Sequence, residues 1–172
     1  MMSRFAAYVL TGFCILTTSP AIADCLGADP LAAAKAFYQK HIDFYYADPS
    51  KLGDAITPRL MKVLQENFDC SDGQECALDS DPWIDAQDGD IADPVTFALG
   101  DHAADHATVI MHYIFALSAS QRSPQKLSLK LVHTDQCWRV DDMITPTGDS
   151  LVDYITQWFK TYGDDVKKDS NP

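Results

Sequence analysis

Carboxylates crowd one short stretch of this chain: Asp79, Asp81, Asp85, Asp88, Asp90 and Asp93. A hard cation such as calcium needs about six to eight oxygens converging at short range. The spacing D-x-[DN]-x-[DN]-G of a calcium-binding loop is absent here, and no glutamate follows at its last position. Asp81-Pro82 and Gly89-Asp90 are turn signals, which aim neighbouring carboxylates in different directions. The stretch therefore reads as a solvated acidic loop with no metal. His102 and His106 are four apart, but they flank an expected hairpin turn, and no HExxH glutamate stands between them. His112 and His133 fall in expected strands, so neither a metal site nor a cofactor is expected from the histidines.

Nucleophilic chemistry has no better footing. The chain has no G-x-S-x-G elbow, no P-loop and no G-x-G-x-x-G. Paired aspartates are too plentiful to single out an acid and a base. No catalytic residue is therefore assigned. Trp83 stands apart, because it lies inside the acidic stretch as Asp81-Pro82-Trp83-Ile84. It either plugs the loop onto the sheet, the favoured reading, or lines a ligand pocket. A binding site is placed on this loop, at Asp81, Trp83, Gln87 and Asp88.

The cysteines and the charge bound the remaining classes. Arg4, the apolar run Phe5 to Leu16, the break at Ser19-Pro20 and the small-x-small Ala21-Ile22-Ala23 follow the order of a secretory signal. The run is shorter than the about 20 apolar residues that span a bilayer. Lipidation at Cys25 is disfavoured by Asp24, which stands where a small residue is required. Residues 1–23 are thus expected to be removed, which places the protein in the periplasm or outside the cell, with no membrane span afterwards. Of five cysteines in the chain, Cys14 leaves with the signal. Cys25, Cys70, Cys76 and Cys137 then read as disulfides in an oxidising compartment, with three pairings open. The local closure of Cys70 with Cys76 is easy and leaves Cys25 for Cys137. Zinc is disfavoured because no Cys-x-x-Cys occurs. The whole chain carries a net charge of −12, and loss of the signal removes one further basic residue. So acidic a surface repels phosphate backbones and anionic headgroups, which excludes nucleic acid as a partner. It suits a small ligand or a basic protein partner.

These residues need a scaffold. Asp29-Pro30 starts a helix, and Leu31, Ala34, Phe37, Tyr38, Ile42 and Tyr45 continue at helical spacing towards Asp48-Pro49. Thr57-Pro58 starts a second helix, with Leu60, Leu64 and Phe68 as its stripe. A long irregular loop is expected over 71–94. The period then changes to two. Val95, Phe97 and Leu99 share one face, followed by Ala107, Val109, Met111, Tyr113 and Phe115, then Leu127, Leu129 and Leu131, then Cys137-Trp138-Arg139-Val140. A closing helix, capped by Asp149 or Ser150, carries Leu151, Tyr154, Ile155, Trp158, Phe159 and Tyr162 and is expected to stop at Gly163. Docking on the sheet is expected through Leu151, Ile155, Trp158 and Phe159. The fold class is α+β: a curved antiparallel sheet of three to four strands or more, packed by two N-terminal helices and one C-terminal helix. The domain is expected over 24–163, with a charged tail over 164–172.

The order of elements, with Thr57-Pro58-x-Leu60 and Cys137-Trp138-Arg139-Val140-Asp141-Asp142, resembles the cone-shaped (cystatin-like) fold of nuclear-transport-factor-two-like proteins. Asp81-Pro82-Trp83 followed by Ala86-Gln87-Asp88 resembles an exported bacterial family known as domain of unknown function 3828. The resemblance spans about residues 30 to 160 and implies an exported domain with no catalytic residues to carry over. Three functions compete on this reading. The first is a non-catalytic exported binding or accessory protein. The second is an immunity or inhibitor protein that masks a basic secreted toxin. The third is a small isomerase- or dehydratase-like enzyme, with an Asp or His beside a Tyr in the cone.

Overall fold

The computed structural model describes residues 25–70 and 76–169, with side chains in the last helix described as far as residue 163. The signal-peptide reading of residues 1–23 lies outside them. The chain runs α1 (Pro30–Lys40), a short 3-10 helix (Pro49–Ala55), α2 (Pro58–Cys70), β1 (Asp90–His102), β2 (His106–Ala116), β3 (Arg122–Thr134), β4 (Cys137–Ile144) and α3 (Leu151–Asp169). The four strands form one open antiparallel sheet in the order β1-β2-β3-β4. Among the described residues no helix is long and apolar enough to cross a membrane.

The period-two pattern sets which face is covered. Ala107, Val109, Met111 and Tyr113 of β2 and Leu127, Leu129 and Leu131 of β3 are all buried, since alternate residues point to the same side of a strand. The helices cover this side, and Phe37, Leu60, Leu64, Leu151 and Ile155 join one core with it. β1 departs from the expectation at its far end, where Leu99 is 41% exposed beyond the reach of the helices. The irregular stretch is also shorter than expected, because β1 begins at Asp90. Gly89 makes the entry at φ 120, with the ring of Phe115 against the place a Cβ would occupy.

Two helix ends differ from the sequence reading. Asp29 caps α1, accepting from the Ala32 N–H at 2.8 Å. The helix then ends at Lys40, short of Ile42 and Tyr45. Turns replace it: the Phe44 N–H donates to the His41 carbonyl and Tyr46 to Asp43. This places Phe44 in the core and leaves Ile42 48% exposed. At the other end, α3 runs through Gly163 to Asp169. Gly163 does not adopt the left-handed conformation that ends helices. The four residues expected to dock α3 all meet the core. Leu151 and Ile155 are buried as expected, Val152 joins them, and Trp158 and Phe159 are partly buried, packed against the core and against each other with centroids 4.9 Å apart.

The adjacent pair Asp141-Asp142 fixes both later helices. A bulge at β3–β4 pairs Leu131 with Val140 and Lys130 with Asp142, leaving Asp141 as the extra residue. Asp141 accepts from the Thr57 hydroxyl at 2.6 Å and from Arg59 at 2.9 Å. Thr57 in turn accepts from the Leu60 N–H at the start of α2. Asp142, 6% exposed, accepts from the Val152 N–H at 3.1 Å, the Met143 N–H at 2.8 Å and the Ser150 hydroxyl at 2.6 Å. Ser150 caps α3 by accepting from the Asp153 N–H. Asp142→Ala leaves these donors without their carboxylate in a buried place, and is expected to cost about 3 kcal/mol. Urea unfolding of the variant against wild type measures it, and a loss below about 1 kcal/mol would show that water replaces the carboxylate.

Two disulfides close the domain. Cys25 joins Cys137 across 112 positions, tying the N-terminal segment to the start of β4. Cys70 joins Cys76 across six. Cystines persist in oxidising surroundings. Arg139 sits nearby, 2.8 Å from Asp54 and 3.5 Å from Asp135, and joins the 3-10 helix to the β3–β4 turn.

Candidate functional site

The site grows from residues 76–89, which form a compact loop. The Asp81 and Ala86 backbones form an antiparallel bridge, and the Asp81 carbonyl accepts from Ile84 and Asp85. Asp85 takes the left-handed conformation at φ 54, and the hydroxyls of Thr145 and Thr147 donate to its carboxylate. Trp83 anchors the loop. It is fully buried, its indole N–H donates to the Ile42 carbonyl at 2.7 Å, and its own carbonyl accepts from the Tyr113 hydroxyl at 2.6 Å. Tyr38 and Phe44 pack edge-on to the indole, with centroids at 5.3 and 5.7 Å. The hydrogen bond to Ile42 ties the loop to the turn that follows α1.

The side of the loop away from Trp83 forms a cleft of about 310 Å³. Tyr45, Tyr46, Phe68 and Leu78 give it apolar walls, and Asp79, Asp81, Gln87, Asn67 and Ser80 give it polar groups. The Tyr45 and Tyr46 rings stand at 90° with centroids 4.8 Å apart, so they form a corner. Tyr46 is 64% exposed at its rim. Two smaller depressions adjoin the cleft. One shares Asp79 and Gln87 with it and adds Tyr154 and Trp158; the other shares Leu78 and Ser80 and adds Asp85 and Asp149.

Asp81 is the chemically distinctive group. Its carboxylate accepts from the Trp83 backbone N–H at 2.8 Å, and Tyr45 lines the same cleft. Burial nevertheless holds its pKa above the usual carboxylate range, outweighing the hydrogen bond from Trp83. Burial also pushes the Tyr45 hydroxyl up to about 12, with the charge of Asp81 adding to it. Tyr113 is likewise pushed up to about 12 by burial, then by Asp81 and Asp85. Among the described residues, no Lys, Arg or His forms an ion pair with Asp79, Asp81 or Asp85.

The four residues placed on this loop by sequence thus separate. Asp81 and Gln87 line the cleft. Trp83 lies beneath it in the core and offers a ligand no surface. Asp88 is exposed on the loop and lines none of these depressions. Sequence reasoning missed Tyr45, Tyr46 and Phe68. Tyr45 and Phe68 fall on apolar stripes in the sequence, and only the turn after α1 brings the Tyr45-Tyr46 pair to the loop. Among the described residues, no three His, Cys, Asp or Glu side chains converge as metal ligands would. No family model matches this chain, and no curated protein sequence matches it either.

Proposed function

We propose that this protein is a non-catalytic binding or accessory domain, exported to the periplasm or beyond, which receives its ligand in the cleft beside residues 76–89. The carrying observation is the division between interior and surface. Trp83 and Tyr113 fill the space between sheet and helices, whereas polar groups and aromatic walls converge on the outer side of the loop. The signal-like N-terminus and the two disulfides support export. The four-stranded antiparallel sheet with helices packed on it is also compatible with the cone fold and the exported family named above. An immunity or inhibitor role against a basic toxin draws on the same acidic cleft, because opposite charge steers such partners together.

One observation favours an enzyme instead: Asp81, with its raised pKa, lies beside a tyrosine in a cleft. Thermal-shift screening of the mature protein against a panel of amines, carboxylates, sugars and short peptides tests the binding reading. At least one class should raise the melting temperature of wild type but not of Tyr46→Ala or Gln87→Ala. A panel without effect, or shifts kept in both variants, would overturn the cleft as the site. Turnover abolished by Asp81→Asn would replace binding with catalysis.

A further inference from the structure

We propose that the cleft recognises an alkylammonium group, with Asp81 as its counter-charge and the rings of Tyr45, Tyr46 and Phe68 as its walls. This rests on the binding reading above and names the ligand class. Two independent features point to it. The first is the aromatic corner: Tyr45 and Tyr46 meet at 90° with centroids 4.8 Å apart, and Phe68 lines the same cleft. The edge-to-face pair, with Tyr46 64% exposed, gives the cleft aromatic surface whose quadrupole attracts an organic cation. The second is the carboxylate at the corner. Asp81 is partly withdrawn from water and has no cationic side chain paired with it among the described residues. A neutral ligand would strip more water from it and return no charge.

Other cations fit less well. A bare metal ion wants a shell of oxygens, and here much of the wall is aromatic carbon. A guanidinium is held best by a free two-oxygen fork. One oxygen of Asp81 already accepts the Trp83 N–H, so the group presents a point charge rather than an open fork. An ammonium on an alkyl stem matches that arrangement, with the charge at Asp81 and the carbons along Leu78 and the rings. Such a group occurs on a lysine side chain and on free methylated amines.

Titration calorimetry of the mature protein distinguishes these sources. The probes are tetramethylammonium, Nα-acetyl-lysinamide, Nα-acetyl-argininamide and neopentyl alcohol, the last an uncharged match in shape to the first. Both ammonium probes should bind at least about tenfold more tightly than neopentyl alcohol, and the lysine probe more tightly than the arginine one. Asp81→Asn and, separately, the exposed Tyr46→Ala should each weaken them by about tenfold, with near-ultraviolet dichroism unchanged as the control for folding. Tighter binding of acetyl-lysinamide supports the inference with a lysine-bearing partner as source. Tighter binding of tetramethylammonium supports it with a free methylated amine. Equal binding of charged and uncharged probes, or affinity kept in both variants, overturns it. If cations fail while an uncharged or anionic compound from the thermal-shift panel binds in a Tyr46-dependent way, the ammonium inference falls and the binding reading stands. If nothing binds at the cleft, both fall.

Discussion

Replacing Cys25 and Cys137 together by alanine is expected to lower the unfolding free energy by about 4–5 kcal/mol. The bond closes 112 positions of chain, and the entropy withheld from the unfolded state grows with the logarithm of that length. The Cys70–Cys76 bond closes only six, so its double alanine variant should lose only about 2 kcal/mol. The long closure also acts in the folded state. It pins the segment before α1 to β4 at Cys137, which is fully buried. Urea unfolding of wild type and both double variants gives the comparison directly. Equal losses would show that strain or residual structure, rather than chain entropy, decides the contribution of the long bond. For a domain of this size, the long-bond variant should also melt roughly 10–15 °C lower.

Trp83→Ala is expected to cost about 3–5 kcal/mol. The side chain is fully buried against Phe37, Tyr38 and Phe44, so truncation removes a large apolar surface and leaves a cavity. It also leaves the Ile42 carbonyl without the indole donor. Trp83→Phe keeps most of the volume and should cost clearly less. The carbonyl of residue 83 still accepts from Tyr113 in both variants, which separates packing from that hydrogen bond. Chemical unfolding followed by far-ultraviolet dichroism is the appropriate measurement, since the variants lose a fluorophore. A loss under about 1 kcal/mol for the alanine variant would mean that the loop is not anchored through the indole, and that the cleft has no fixed floor.

The strands were legible because one physical rule governs them. Alternation of Ala107, Val109, Met111 and Tyr113 can be buried only on one side of a sheet, and the structure buries that set. The α2 start at Thr57-Pro58 was equally legible, since its cap is local. The end of α1 was not. Ile42 and Tyr45 continue the helical period, but the chain turns after Lys40 to bury Phe44 and to meet Trp83, 41 positions away, at the Ile42 carbonyl, and no local pattern reports that. For the same reason only half of the cleft could be seen. Asp81 and Gln87 belong to a loop marked by composition, whereas Tyr46 and Phe68 arrive from other elements and meet the loop only in three dimensions. The roles of Asp141 and Asp142 were hidden likewise, because a bulge decides which way each carboxylate turns.

A meander of four strands leaves two outer rims where unpaired amides and carbonyls could recruit a foreign strand. One is partly occupied already: Ile56 bridges to Val140 on the outer side of β4, and the Thr57 N–H donates to the Val140 carbonyl. The other rim, β1, is defended by its residues. Pro94 has no N–H to offer, register shifts fall between Ala92 and Thr96 and again between Leu99 and His102, and Asp90, Asp93 and Asp101 place charge along it. Each of these interrupts the straight ladder that a second strand would need. The same residues that make β1 irregular therefore guard the molecule against growing by sheet extension, the route by which exposed edges become fibrils.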